Sequence, residues 1–257
     1  MRNSILSIIL FALAVAGCQK AVPTLFSEAD GIYFAATTDS ISYSFAKFPN
    51  RTKDTLKIPV TVLGNAAAAD RTIGIEKITA TDANAVEGVH YKLLGPYSMP
   101  ANKFSTTVPV VIYKTAEMDS LTMTFVLHLK DNEHFKAGIT SKTSLKIKVA
   151  YLQKPPTWGE YAGTQWAGFS TNFGTWTKTK YKLILDALYD PISDSTVTEF
   201  PYTRFSAPTS YLQYLQVVKN YIRTNYPGNY SNPVGIGATL RDPDANNNVI
   251  QVGPANY

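Results

Sequence analysis

At 257 residues, 45% hydrophobic and 17% charged, the chain has the length of one large domain or two ordinary ones and the composition of a globular protein. The net charge of +5 is spread along it, which excludes a nucleic-acid binder built on a basic cluster. A single cysteine excludes a disulfide framework or a multi-cysteine zinc site, and three histidines leave little for metal or acid–base chemistry.

The first elements read as an address. Met1-Arg2 is a short basic start, and Ile5 to Ala16 is an apolar run too short for a normal spanning helix. It ends in Val15-Ala16-Gly17-Cys18, which resembles the bacterial lipobox. That resemblance implies a signal peptide over 1–17, cleavage before Cys18, and lipidation of Cys18. Several acyl chains, at about 0.8 kcal/mol per buried CH₂, make a stable anchor. Residues 18–30 read as a tether. They lack the acidic run that directs some Bacteroidota lipoproteins to the cell surface, so the face of the membrane stays open.

Residues 31–153 alternate with period two, the signature of strands that bury one face. Ile32, Phe34 and Ala36 share a face, as do Ile41, Tyr43 and Phe45. Leu56 to Val62, Phe104 to Ile112, Met123 to Leu129 and Leu145 to Tyr151 repeat the pattern. On this reading Thr124, Val126 and His128 point outward. Pro59 and Pro109 belong at sheet edges or bulges, and the lysines of the last strand discourage edge pairing. About seven short strands with turns between them predict an immunoglobulin-like antiparallel sandwich.

Glu87-Gly88-Val89-His90-Tyr91, then Met99-Pro100-Ala101-Asn102 and two long strands, resemble the Calx-beta repeat. Two positions depart from it. His90 stands where that family has an acid, and Asn102 where it has a glycine. Calcium needs six to eight oxygen ligands, and the loop acids Asp70, Asp82, Glu87, Asp131 and Glu133 do not assemble into a cluster, so no metal and no cofactor are expected. In a wider frame, the lipobox, Gly31-Ile32-Tyr33-Phe34, Gly88-Val89-His90-Tyr91, Asn132-Glu133-His134-Phe135 and Lys154-Pro155-Pro156-Thr157-Trp158 resemble, in this order, a Bacteroidota lipoprotein family of unknown function. The resemblance implies an outer-membrane lipoprotein, often beside glycan-uptake transporters of the starch-utilisation type, with no known enzyme activity.

Residues 154–257 change character after the stiff Lys154-Pro155-Pro156 break, and hold most of the aromatic side chains. Thr177 to Leu188 fits a helix capped by Thr177, while Tyr181 to Leu185 fits a strand equally well. Thr209 to Tyr226 is the clearest helix, with Tyr211, Leu215, Val218 and Ile222 in a stripe. The tail reads as a hairpin with a long turn at Asp242 to Asn246. That turn mimics the start of an EF-hand loop but lacks its glycine and its closing glutamate. The fold class expected is therefore mostly β: an immunoglobulin/Calx-beta-like sandwich, then a smaller aromatic-rich α+β region.

Trp158, Tyr161, Trp166 and Trp176, with Gln165 and Asn172, are the leading candidates for a glycan-binding platform, since rings stack on sugar faces and amides bond hydroxyls. The alternative is that they pack the junction between the halves. Ser40, Thr55, Ser120 and Ser195 each follow an aspartate and precede an apolar residue or threonine, a pattern that resembles the Bacteroidota O-glycosylation sequon; Asp-Ser is also ordinary turn chemistry. No nucleophile elbow, P-loop or dinucleotide fingerprint occurs. The expected function is a non-catalytic accessory of the outer membrane, anchored by lipid, that binds polysaccharide or docks to a transport complex. A structural or adhesive module with a protein partner is the alternative.

Overall fold

A computed structural model describes residues 30–155, 158, 173–198 and 209–253, with the backbone alone for 209–212. Its strands are β1 (Gly31–Phe34), β2 (Ser40–Ser44), β3 (Lys53–Leu63), β4 (Arg71–Ile78), β5 (Tyr91–Leu93), β6 (Tyr97–Met99), β7 (Ser105–Tyr113), β8 (Met123–Lys130), β9 (Lys136–Ala137) and β10 (Ser144–Ala150). They form two five-stranded sheets, ordered β5-β7-β3-β1-β9 and β2-β10-β8-β4-β6. Most neighbours are antiparallel. The exceptions are β1 with β9 and β2 with β10, which run parallel.

Alternation explains the sandwich. Ile58, Val60, Val108, Val110 and Ile112 face inward from the first sheet, and Phe125, Leu127, Leu145 and Ile147 from the second, each no more than 1% exposed. Each such side chain contributes roughly 1.5–3 kcal/mol by leaving water. β1 and β2 are consecutive in sequence yet join opposite sheets, which ties the two layers together.

Three expectations change. Pro59 and Pro109 lie in central strands, not at edges. Each is tolerated because its shorter neighbour has ended: Ala35 donates to the Pro59 carbonyl just past β1, and the Tyr97 hydroxyl donates to the Pro109 carbonyl past β5. Each missing N–H therefore costs at most one bond, at the end of a ladder. The lysine-bearing β10 is interior, and β2 is the edge. Thr124 and Val126, expected outward, are each 6% exposed. The segment carrying Asn84 and Ala85 continues the ladder beyond β4, both of its N–H groups donating to the Thr124 carbonyl.

Beyond the sandwich come α1 (Lys178–Ala187), α2 (Thr209–Asn225), a 3-10 turn over Pro227–Tyr230, and a short hairpin of β11 (Arg241–Asp242) and β12 (Asn248–Val249). The helix wins over the strand at Tyr181 to Leu185, all but Lys182 buried there, because Thr177 caps it: its hydroxyl accepts from the Lys180 N–H. In α2, Leu215, Val218 and Ile222 are buried as the stripe required; the side chain of Tyr211 lies outside the described residues. Asn229 is fully buried and satisfied, donating to the Leu240 and Ile250 carbonyls and accepting from the Leu240 N–H. Buried side chains of the sandwich and of the second half belong to one continuous apolar cluster.

Candidate functional site

Trp158 is 2% exposed, its indole N–H donates to the Gly174 carbonyl at 3.1 Å, and its ring meets Tyr181 edge-on at 5.8 Å and Phe173 at 6.4 Å. Such a ring has no open face for a sugar; it packs the junction, the alternative weighed above. Trp176 is half-buried against the same cluster, with an indole N–H that has no partner among the described residues. Tyr161, Trp166, Gln165 and Asn172 lie outside the described residues, as do residues 1–17 and Cys18.

The four aspartate–hydroxyl motifs are dispersed around the fold. Ser40 and Ser195 are half-exposed, Thr55 and Ser120 exposed. Ser120 accepts from Lys178 at 3.0 Å, and Ser195 shares a hydrogen bond with Ser193 at 2.8 Å. Two of the motifs are joined: Arg51 bonds Asp54 at 2.9 Å and Asp194 at 3.3 Å, linking β3 to the second half. Tyr43 also donates to Asp54. Burial opposes ionisation of Asp54, but the bonds from Tyr43, the Thr55 backbone and Arg51 hold its carboxyl below the ordinary value.

The loop acids act as turn clamps. Asp70 accepts from the Ala101 N–H, Asp131 from that of Ala137, and Asp82 pairs with Lys146 at 2.7 Å. Among the described residues no group of three or more His, Cys, Asp or Glu is placed to hold a metal. His90 is buried, its Nδ1 accepting from the Val86 N–H and its Nε2 facing Glu117 at 3.3 Å, so it pins the turn at positive-φ Gly88. Asp242 is 2% exposed; it accepts from the Thr177 hydroxyl and the Asp244 N–H, and Asn246 and Asn247 adopt left-handed backbone. It is a turn that docks the hairpin on the α1 cap.

A cleft of about 600 Å³ opens where the sandwich meets α1, a size usual for small ligands. Its floor is the outer face of the second sheet. Parallel pairing sets Ser42 beside Lys148 and Ser44 beside Ala150, and Thr122 extends the row. Lys47 and Phe48 from a 3-10 turn (Phe45–Lys47) and the residue after it form one wall. Gln153, Lys154, Pro155, Tyr181 and Thr198 form the other. Phe48 is braced by the Arg51 guanidinium, 4.0 Å from its ring centre. A second cleft, about 490 Å³, lies beside the other face of α1, with Lys178, Lys182, Asp119, Asp186, Tyr226 and Asp244. There Lys182 is paired with Asp186 at 2.7 Å. Burial alone would lower the Lys182 ammonium, but its bond to Asp186 raises it.

Sequence reading missed the first cleft. Ser42, Lys148 and Lys154 sit in three segments, and their meeting depends on a parallel pairing across a hundred residues. The one available signal was the run of outward small or charged residues on β2 and β10.

Residues 26–189, more than half of the chain, match the family model described as "Domain of unknown function (DUF4843)". The match spans the sandwich and α1, and so covers every residue named in the first cleft except Thr198. No curated protein matches. Among solved structures, a two-domain protein of unknown function from Bacteroides fragilis is similar at 14% identity and a TM-score of 0.38, covering 48% of this chain and 46% of that one. A Bacteroides ovatus structure titled "putative carbohydrate binding protein" is similar at 10% identity and 0.36, covering 50% and 38%. Another Bacteroides ovatus protein of unknown function gives 14% and 0.37, covering 48% and 45%. The chain thus spans less than half the length of these structures, and likenesses this distant carry no argument about ligand or activity.

Proposed function

The chain belongs to the DUF4843 family, and from that premise we propose that it is a non-catalytic, lipid-anchored protein of the bacterial outer membrane that binds glycan in the cleft between its sandwich and α1. The observation that carries this reading is the cleft: a floor of small hydroxyl side chains at Ser42 and Thr122, a braced ring at Phe48, and the amide of Gln153 on the wall. Hydroxyls and amides exchange hydrogen bonds with sugar hydroxyls, and an aromatic ring face covers apolar sugar C–H faces. The strand order supports an immunoglobulin-like sandwich, with the consecutive strands β1 and β2 divided between the two sheets. The lipobox-like Val15 to Cys18 supports the anchor. Ser40, Thr55, Ser120 and Ser195 are the proposed O-glycosylation positions; intact mass from the native host should exceed that of the lipidated chain, and a mass equal to it removes them.

Gel retardation of the full chain on a panel of plant and host polysaccharides tests the function. Retention on at least one glycan is expected. A docking role has one observation in its favour: Leu63 and Phe104, on neighbouring segments at one end of the first sheet, are 55% and 54% exposed. Absence of retention on every glycan, with co-purification of a membrane protein, would replace the glycan reading by that one.

A further inference from the structure

The charge in the cleft is one-sided. Lys47, Lys148 and Lys154 line it, and no carboxylate does among the described residues. None of the three has a hydrogen bond or ion pair to a described residue, and neither do the side chains of Ser42 and Gln153. The contrast with the second cleft is direct: there the lysines are answered by Asp186 and the Ser120 hydroxyl. Asp82, a carboxylate that feels the Lys148 charge, is already bonded to Lys146 at 2.7 Å.

Three like charges gathered in one concavity repel one another, and partial enclosure strengthens that repulsion relative to open water. Among the described residues no carboxylate bonds any of them, and the nearest that feels Lys148, Asp82, is taken by Lys146. A ligand that brings its own anion relieves the repulsion and completes the hydrogen bonding of the ammonium groups. Hydroxyl-rich flooring selects a polyhydroxylated ligand over a bare anion, because Ser42 and Gln153 need donors and acceptors of their own. The overall charge of +5 concealed this, since it is the parallel pairing of β2 with β10 that gathers the lysines.

We infer that the junction cleft recognises an acidic saccharide, one carrying carboxylate or sulfate groups, with Lys148 on the floor and Lys47 and Lys154 on opposite walls as the anion-binding groups. The inference rests on the glycan reading of the same cleft and narrows it to a substrate class.

The test uses the full chain in detergent, titrated with polygalacturonate and chondroitin sulfate as acidic probes and with amylopectin and xyloglucan as neutral ones. Binding of at least one acidic probe is expected, at least tenfold tighter than of either neutral one. Lys148→Glu should weaken it at least tenfold. Lys57→Glu, an equal charge change on an exposed position of the opposite sheet, should leave it within twofold. If Lys148→Glu disturbs folding, the exposed pair Lys47→Ala/Lys154→Ala serves in its place, with the same loss expected. Binding of a neutral probe in preference to both acidic ones overturns the inference and leaves the glycan reading standing. Acidic binding weakened equally by Lys57→Glu reduces it to diffuse charge and overturns it. Binding of no probe removes both readings.

Discussion

Trp158→Ala separates the two meanings of an aromatic-rich junction. The ring is 2% exposed, contacts Tyr181 and Phe173, and donates one hydrogen bond to Gly174. Truncating a buried tryptophan costs about 3–5 kcal/mol through lost transfer energy and the cavity left behind. About 1 kcal/mol of that belongs to the orphaned Gly174 carbonyl, and a similar share to the edge-to-face contact. Whole-protein stabilities run at roughly 5–15 kcal/mol, so the loss is a large fraction. At about 2–4 °C per kcal/mol for a chain of this size, Tm should fall by roughly 6–20 °C. Urea unfolding followed by circular dichroism measures it without relying on the deleted fluorophore. Trp158→Phe, which keeps a ring at the site, should lose clearly less. A Trp158→Ala protein within 1 kcal/mol of wild type that no longer binds glycan would refute the packing argument and restore the tryptophan as a ligand contact.

Other outcomes follow from single contacts. The Tyr91 hydroxyl is buried without a hydrogen-bond partner among the described residues while its ring stacks on Phe125 at 3.9 Å, so Tyr91→Phe should stabilise the protein by about 1 kcal/mol in urea titrations. Burial, and then the charge of Glu87, push that hydroxyl up to about 12. The folded state therefore keeps a proton that the unfolded chain releases near pH 10. Stability is intact below pH 10 and falls as pH rises toward 12, a loss the phenylalanine variant escapes, so the gap between the two should widen over that window. Arg51→Ala removes two half-exposed ion pairs and should lower stability slightly. Because the Asp54 carboxyl is held below its ordinary value, its contribution is present above about pH 4 and lost in acid. The Arg51→Ala deficit should thus be measurable at pH 6 and shrink by pH 3. Thr177→Val strips the α1 cap and the hydroxyl donor to buried Asp242 together. A loss of about 2–3 kcal/mol is expected in thermal unfolding, largely recovered by Thr177→Ser.

What the sequence made legible was what depends on near neighbours. The strands of the sandwich follow from alternation, because a side chain at i and its partner at i+2 share a face whatever lies opposite. The α1 start was legible in Thr177, whose hydroxyl reaches a backbone N–H three residues on. The prolines mark the limit of that logic. Proline excludes a ladder bond on one side only, and whether that side is empty depends on how long the neighbouring strand is. Pro59 and Pro109 sit inside central strands because β1 and β5 stop short of them. Sequence patterns carry the requirement, not the length of the partner.

The same limit governs the site. Aromatic density after Pro155 drew attention to the tryptophans, but density is silent about exposure, and a ring that fills a junction looks the same in sequence as one that meets a ligand. The lysines gave the opposite signal. Lys47, Lys148 and Lys154 sit in three separate segments, each an ordinary solvated charge read singly. Their meaning comes from β2 leaving the first sheet after β1 and pairing in parallel with β10, which brings residue 42 beside residue 148. A parallel pair cannot be closed by a tight turn, so it leaves no short-range mark. The charge that composition spread over the whole chain becomes local only through that crossover. A substitution that breaks the β2–β10 register should therefore abolish acidic-glycan binding while every lysine remains in place.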